Sequence, residues 1–178
     1  MKITVLSGGP RKTGRTKIAA NYIAEKFNTE LVDLSELILP VFTGEESQYE
    51  NKAVKELQEK VRAAEGIVLL SPEYHGGMSG ALKNALDFLN SEYFAQKSVA
   101  LLTVAGGGKG GINTLNQLRV IMRALYANAI PKQLVLDPHC FNKEEGKLFD
   151  EPAALVKQLM DELTLYTKVT NQIRTENA

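Results

Sequence analysis

A glycine-rich segment with basic and hydroxyl side chains is the part of the sequence best suited to chemistry. It reads SGGPRKTGRT over residues 7–16 and follows the apolar run KITVL. Where such a loop opens a helix, free backbone N–H groups and the helix dipole favour an anion. Glycines allow close approach to the anion, a hydroxyl can donate to it, and a guanidinium can neutralise it. We predict a phosphate site rather than a glycine-rich turn with solvated basic side chains. The candidate residues are Gly9, Arg11, Gly14, Arg15 and Thr16.

A nucleoside triphosphate loop has nearly the same spacing, but it carries lysine at the position of Arg15. The wide guanidinium fork is a poor replacement for a lysine ammonium in a narrow phosphate cradle. A triphosphate site also needs a carboxylate for magnesium at the end of a neighbouring strand. Asp137 is a candidate, but its strand is predicted at the far edge of the sheet. The loop therefore favours one small phosphate without a metal ion.

Short β-branched runs alternate with helical patterns and predict the elements that position this loop. Strands are predicted at residues 2–7, 29–35, 66–71, 98–105 and 131–137. Helices are predicted at residues 16–27, 50–65, 81–91, 112–127 and 151–170, followed by a polar tail, 171–178, that should fray. Alternation of this kind predicts a parallel sheet with helices on both faces. We expect one α/β domain over residues 1–178, a flavodoxin-like three-layer sandwich with a five-stranded sheet in the order 2-1-3-4-5.

In that strand order, three glycine-rich loops follow three neighbouring strands. They are residues 8–15, 72–79 and 105–111. Ligands of such sheets bind outside the carboxyl ends of the strands, where the strand order reverses. The three loops are therefore expected to form one crevice.

Composition excludes several classes of function. The 21 Lys plus Arg balance the 21 Asp plus Glu, which argues against a broad nucleic-acid-binding surface. The single Cys140 forbids an intrachain disulfide, and one Cys with two His makes a structural metal site improbable. The start of the chain does not resemble a secretory signal, and no apolar run approaches the roughly 18 residues of a membrane span. We expect a cytoplasmic protein.

The second loop carries the most specific sequence signal. The stretch SPEYHGGMSGALKNALDFL resembles the PEYN…LKNALDWL signature of the NADPH-dependent FMN reductases, the family that includes azobenzene and quinone reductases. The phosphate loop, LPVF after the second strand and AGGGKGG resemble further segments of that family in matching order, over roughly residues 2–137. Two positions depart from the family pattern. Gly9 stands where Ser is common, and His75 stands where Asn is common.

The resemblance implies an FMN site and assigns residues to its parts. Ser7, Arg11 and Thr16 correspond to the site of the FMN phosphate. The loop along the edge of the isoalloxazine ring corresponds to Pro72, Glu73, Tyr74, His75 and Gly76. The loop near the pyrimidine end of the ring corresponds to Ala105, Gly106, Gly107 and Gly108.

Several side chains near these loops could have either a functional or a purely structural role. Tyr74 could contact the flavin or pack beneath the loop, and Glu73 could hydrogen-bond locally. A lone histidine such as His75 is more often a solvated residue than an acid. Cys140 has no evident basic partner besides His139, which argues against a redox thiol. We therefore assign no catalytic side chain, because the flavin itself supplies the chemistry.

The resemblance also implies an activity. FMN would take a hydride from NADPH, or NADH, and two electrons would pass to a small-molecule acceptor such as a quinone, an azo dye or a free flavin, in ping-pong turnover. The alternatives are a flavodoxin-like electron carrier or flavin-binding partner protein, which the neutral charge disfavours, and a nucleotide hydrolase, which the phosphate loop disfavours.

We further expect a homo-oligomer, a dimer or a tetramer, because family members typically associate through the helix after the second loop. The apolar residues in and after that helix exceed what one buried stripe needs, although all of them could pack inside the monomer. They are Leu82, Leu86, Phe88, Leu89, Tyr93 and Phe94, and apolar residues of LILPVF are also available.

Overall fold

Strands and helices alternate along the chain. The computed structural model describes residues 1–107 and 110–176. The strands are β1 (Ile3–Ser7), β2 (Glu30–Asp33), β3 (Gly66–Tyr74), β4 (Gly77–Met78), β5 (Ser98–Val104), β6 (Asn128–Leu136), β7 (Phe141–Asn142) and β8 (Lys147–Leu148). The α-helices are α1 (Arg15–Phe27), α2 (Lys52–Ala63), α3 (Gly80–Asp87), α4 (Ser91–Phe94), α5 (Ile112–Ala124) and α6 (Asp150–Glu176). Short 3₁₀ helices cover Glu46–Glu50 and Pro138–Cys140.

The central sheet has the predicted topology. Its long strands are parallel and lie in the order β2-β1-β3-β5-β6, which is 2-1-3-4-5 when the five are numbered along the chain. Strand β4 adds a short antiparallel pair to β3, and β7 and β8 form a separate two-stranded sheet. These short strands were not predicted. The flavodoxin-like fold is otherwise confirmed.

Helices cover both faces of the sheet because its central strands are apolar on both sides. Every residue of β1 and β5 is buried. One core lies on the face that includes Leu57 of α2, Leu86 of α3 and Leu118 of α5. The other core includes Ile23 of α1 and Leu159 of α6. The result is the expected three layers.

The segment after the third strand is more regular than predicted. Strand β3 continues through Pro72 to Tyr74, although residues 72–79 were predicted as a loop. A tight turn at His75 and Gly76 then leads into β4. Because Glu73 pairs with Met78, and Tyr74 with Gly77, the second loop is a β-hairpin.

The polar tail predicted to fray is helical as far as Glu176, and residues 177–178 lie outside the described part. Asn171 Nδ2 donates to Glu65 Oε1 at 2.6 Å, which ties this end of α6 to the residue before β3. A tertiary hydrogen bond therefore overrides the local polarity of the tail.

The apolar excess in and after α3 belongs to the core of the chain. Leu82 and Phe94 are fully buried, and Phe88 is 2% exposed. Leu86, Leu89 and Tyr93 are buried as well. The helix predicted over residues 81–91 is in fact two, with Asn90 capping α4 through a bond from Glu92 N. The expectation that these six residues form a subunit interface is therefore wrong.

Among the described helices, none combines the length and the apolar character needed to cross a membrane.

Candidate functional site

The three glycine-rich loops meet in one cleft at the carboxyl ends of β1, β3 and β5. Its volume is about 250 Å³. The lining residues are Gly9, Arg11, Gly14, Arg15, Thr16, Pro72, Glu73, Tyr74, Val104, Ala105 and Gly106. Ten of these eleven were predicted as cofactor-binding residues, and Val104 was missed because it reads as a buried strand residue. The convergence expected from the strand order is therefore present.

The start of α1 is built to receive an anion. Gly14 caps the helix without any side-chain hydrogen bond, and the first turn carries no acidic residue. The first N–H groups of α1 therefore lack a side-chain acceptor, which a bound phosphate would supply. Arg11 and Arg15 line the same cleft, so two basic residues border the place where α1 begins.

Two details of this loop test whether a phosphate fits. Ser7 is 1% exposed, and its Oγ has no hydrogen-bond partner in the described structure, so a hydroxyl is left free at the base of the loop. A Cβ on Gly9 would lie 2.9 Å from Thr16 Cβ, closer than side chains normally approach. The missing side chain at Gly9 thus keeps space around the Thr16 hydroxyl. Both observations fit a small phosphate, and they give a physical reason for the departure from Ser at position 9.

A buried network of hydroxyl groups holds the loops against each other. Ser79 Oγ donates to Gly8 O at 2.5 Å and accepts from Leu82 N at 3.0 Å. Ser71 Oγ accepts from Ser79 N at 3.0 Å, and Thr103 Oγ1 donates to Ser71 O at 3.0 Å. These residues were not predicted from the sequence, although Ser71 and Thr103 are hydroxyl side chains near the ends of buried apolar strands.

The backbone conformation of the hairpin explains why Asn is common at position 75 in the family pattern. His75 and Gly76 both have positive φ, at 53° and 78°. Two-residue turns of this kind prefer Asn followed by Gly, because Asn tolerates the left-handed conformation. Asn at position 75 therefore suits the turn itself. His75 and Gly76 are exposed at the tip of the hairpin and do not line the cleft, so their contact with the flavin stays a prediction.

The neighbouring hairpin residues connect the three loops. Glu73 Oε2 accepts from Thr114 N at 3.2 Å, so this carboxylate caps the start of α5. Glu73 therefore forms a hydrogen bond, as proposed, but with a residue 41 positions away rather than locally. The guanidinium carbon of Arg11 lies 5.6 Å from the ring centre of Tyr74, a cation–π contact between the first two loops. Tyr74 lines the cleft, so its side chain is available to a ligand.

The third loop contributes less to the cleft than predicted. Ala105 and Gly106 line it, and Ala105 N donates to Leu136 O at 3.1 Å. Gly107 is exposed and outside the lining. Gly108 lies outside the described residues.

Neither Cys140 nor Asp137 takes part in the cleft. Cys140 is buried, and burial is the main reason why the pKa of its thiol is raised. A hydrogen bond with the backbone of Asp137 lowers that pKa and the negative charges of Asp137 and Glu151 raise it, but burial has the largest effect. A thiol held protonated in this way is a poor nucleophile, which agrees with the prediction against a redox role. Among the described residues, no group of three or more His, Cys, Asp or Glu could hold a metal ion.

The sheet order defines a flavodoxin-like fold, and ligands of such folds bind at the sheet edge where this cleft lies. Comparison with known proteins is more specific. The model of the NADPH-dependent FMN reductase family matches residues 1–141. An NADPH azoreductase from Bacillus sp. strain OY1-2 is 50% identical over 174 residues, which covers 98% of this chain and 97% of that protein. An FMN-dependent NADPH-azoreductase from Staphylococcus aureus is 38% identical over 157 residues, 82% of this chain and 81% of that protein.

The fold has close solved counterparts. FerB, a flavoenzyme NAD(P)H:(acceptor) oxidoreductase from Paracoccus denitrificans, superposes with a TM-score of 0.74 at 17% identity, covering 96% of this chain and 97% of that one. The chain belongs to the NADPH-dependent FMN reductase family. It is an oxidoreductase with FMN as its cofactor and NADPH as its electron donor.

Proposed function

We propose that the chain reduces azo compounds, and also quinones or free flavins, in a two-electron ping-pong reaction. The observation that carries the proposal is the single cleft, which joins an anion site at α1 to two loops suited to a flat ring. Azo reduction is supported by the relative from Bacillus sp., which is an NADPH azoreductase. Bound FMN supplies the redox chemistry, since it accepts a hydride from the nicotinamide and returns two electrons to the acceptor.

The residues of the cleft bind and orient. The N–H groups at the start of α1, Thr16 and the two guanidinium groups of Arg11 and Arg15 hold the phosphate. The hairpin and Ala105–Gly106 border the ring, and glycine at position 106 leaves the backbone accessible. No side-chain acid or base is required, and the exposed tip position of His75 agrees with this.

The shared cleft supports ping-pong turnover, because the nicotinamide and the acceptor would both react at the same flavin. The nicotinamide and the acceptor should therefore occupy the open face of the flavin in turn. Double-reciprocal plots of initial rate against NADPH concentration, at several acceptor concentrations, should give parallel lines. Intersecting lines would show a ternary complex and a separate acceptor site.

A flavodoxin-like electron carrier is the alternative function. It would bind FMN but would oxidise NADPH slowly, with or without an acceptor. Steady NADPH consumption by the purified chain with FMN and an azo dye would exclude the carrier if dye colour is lost in step with it. Two-electron reduction of the dye to the hydrazo compound uses one NADPH per dye, and four-electron cleavage to two amines uses two.

We still propose a homo-oligomer, but with its interface at a groove beside the hairpin instead of at the buried apolar residues in and after α3. An apolar groove of about 560 Å³ lies beside the hairpin and is lined by Met78, Lys83, Asn116, Gln117, Val120 and Ile121. Val120 is 68% exposed. Ile38 and Val41, from the LILPVF segment, are also exposed, and Asn84 of α3 holds their loop through bonds to Pro40 O and Phe42 N. We propose a second copy of the chain as the occupant, because α3, which family members use for association, supplies Lys83 to the groove and Asn84 to the loop.

Light scattering tests the interface. Val120→Glu should dissociate the oligomer, while Val169→Glu, the same change at an exposed valine of α6, should not. A mass near 19.6 kDa for the unmodified chain with full activity would refute the assembly.

We also propose a cytoplasmic location, which is supported by the single cysteine, since it leaves no possible intrachain disulfide.

A further inference from the structure

A side chain of α5 holds the hairpin through hydrogen bonds to its backbone. Gln117 Oε1 accepts from Met78 N at 3.1 Å, and Gln117 Nε2 donates to Gly76 O at 3.5 Å. Its amide group therefore bridges the two peptide units that flank Gly77. Gln117 is itself exposed and does not line the cofactor cleft.

The Gln117 amide occupies the space that a side chain at position 77 would need. A Cβ at position 77 would lie 2.9 Å from Gln117 Oε1 and 3.1 Å from Gln117 Nε2. The φ angle of Gly77 is not positive, in contrast to that of Gly76, so its backbone conformation does not by itself require glycine. Glycine at position 77 is explained by the space that the Gln117 amide occupies.

A second contact joins the same two elements. Glu73, which pairs with Met78 across the hairpin, accepts from Thr114 N in the first turn of α5. Both strands of the hairpin are thus held by α5. Because α5 directly follows the third loop, the hairpin wall and the third-loop wall of the cleft are linked through this helix.

We propose that Gln117 is a positioning residue for the cofactor: it fixes the hairpin backbone at the edge of the flavin ring and thereby sets FMN affinity and reduction potential. The inference rests on the proposed placement of FMN in this cleft. Without the Gln117 amide, the exposed hairpin keeps Glu73 as its polar tie to α5 among the described hydrogen bonds. The hairpin then moves relative to the ring, and its backbone dipoles no longer lie at a fixed distance from the reduced flavin.

The test compares Gln117→Ala, Gly77→Ala and the double variant with Asn116→Ala as the matched control. Asn116 is an exposed amide residue on the same helix and also lines the apolar groove. Gln117→Ala should weaken FMN binding about tenfold, the scale expected for two lost hydrogen bonds. Gly77→Ala should have a similar effect, because its new methyl group displaces the amide from both bonds.

The decisive result is non-additivity. If both changes act by removing one clamp, the double variant should bind FMN no more weakly than either single variant. The midpoint potential of the bound flavin should shift in all three, and neither affinity nor potential should change in Asn116→Ala. Thermal unfolding of the apo-proteins shows whether each variant is folded.

Additive losses of affinity, or an unchanged midpoint potential in Gln117→Ala, would overturn the positioning role. Failure of the unmodified chain to bind FMN would instead refute the proposed function, so the two failures are distinguishable. An effect of Asn116→Ala equal to that of Gln117→Ala would assign the change to the groove and its occupant, which also contradicts the proposal.

Discussion

Removing the guanidinium group of Arg11 should separate the phosphate contact from the rest of the cofactor site. Arg11 lines the cleft beside the start of α1 and lies over the ring of Tyr74. The described ion pairs do not include it, so no carboxylate among them competes for its charge. We expect Arg11→Ala to weaken FMN strongly and riboflavin, which lacks the phosphate, weakly.

The two ligands report different contacts, and each has its own magnitude. A charge-assisted hydrogen bond to phosphate contributes about 1.5–3 kcal/mol, or roughly tenfold to over a hundredfold in affinity. An exposed cation–π contact contributes about 0.5–1 kcal/mol, or roughly two- to fivefold. Losing the contact with Tyr74 affects both ligands, so riboflavin should weaken at most about fivefold and FMN about tenfold or more beyond that.

Quenching of flavin fluorescence measures both affinities under the same conditions. Lys26→Ala, in the last turn of α1, serves as a control for the loss of one positive charge from that helix. The preference for FMN over riboflavin should also fall with rising salt in the unmodified chain, and less steeply in Arg11→Ala. Equal losses for FMN and riboflavin would show that Arg11 does not contact the phosphate.

Three further predictions concern the hairpin, the third loop and a buried lysine. His75→Asn should retain most activity and unfold at the same or a higher temperature, since Asn favours the positive φ of this turn. His75→Val should instead destabilise the fold by about 1–2 kcal/mol in denaturant titrations. A loss of turnover beyond roughly a hundredfold in His75→Asn would indicate acid catalysis by His75. Gly111→Ala should lower stability by about 1–3 kcal/mol, because its Cβ would lie 2.0 Å from Thr103 Cγ2, and unchanged unfolding would contradict the close packing there. Burial lowers the pKa of Lys97 from 10.5 to about 8, with smaller effects from two nearby arginines. Between pH 8 and pH 10.5 the unfolded chain therefore binds more protons than the folded chain, and the contribution of Lys97 to the free energy of unfolding should rise with pH. Lys97→Met should flatten this rise in urea unfolding measured at pH 8 and pH 10, and an unchanged slope would show that Lys97 is not the group responsible.

The fold could be predicted because its signals are local and repeated. Buried strands such as Ile3–Ser7 and Ser98–Val104 are continuous apolar runs, and each is followed by a loop and a helical pattern. Short strands were missed because a pair such as Gly77–Met78 buries too little side-chain area to leave a pattern; its pairing depends on the turn geometry at His75 and Gly76.

The candidate site could be predicted in its parts but not in its connections. Gly9, Arg11 and Thr16 are near neighbours in sequence, so their joint chemistry was readable from spacing. The contacts of Ser79 with Gly8 and of Gln117 with Met78 join residues 71 and 39 positions apart, and no local pattern reports them.

The sequence by itself determined the alternation of strands and helices, the phosphate loop and the convergence of three loops at one edge, because these follow from periodicity, chirality and strand order. The tertiary structure decided which apolar side chains are free: Phe88 and Phe94 are enclosed by the core, while Val120 is exposed beside the hairpin. It also assigned Glu73 to the start of α5 and His75 to the turn. Burial and long-range hydrogen bonding depend on how separate elements pack. The sequence pattern of a segment shows which of its residues are apolar, but it does not show which other element packs against them.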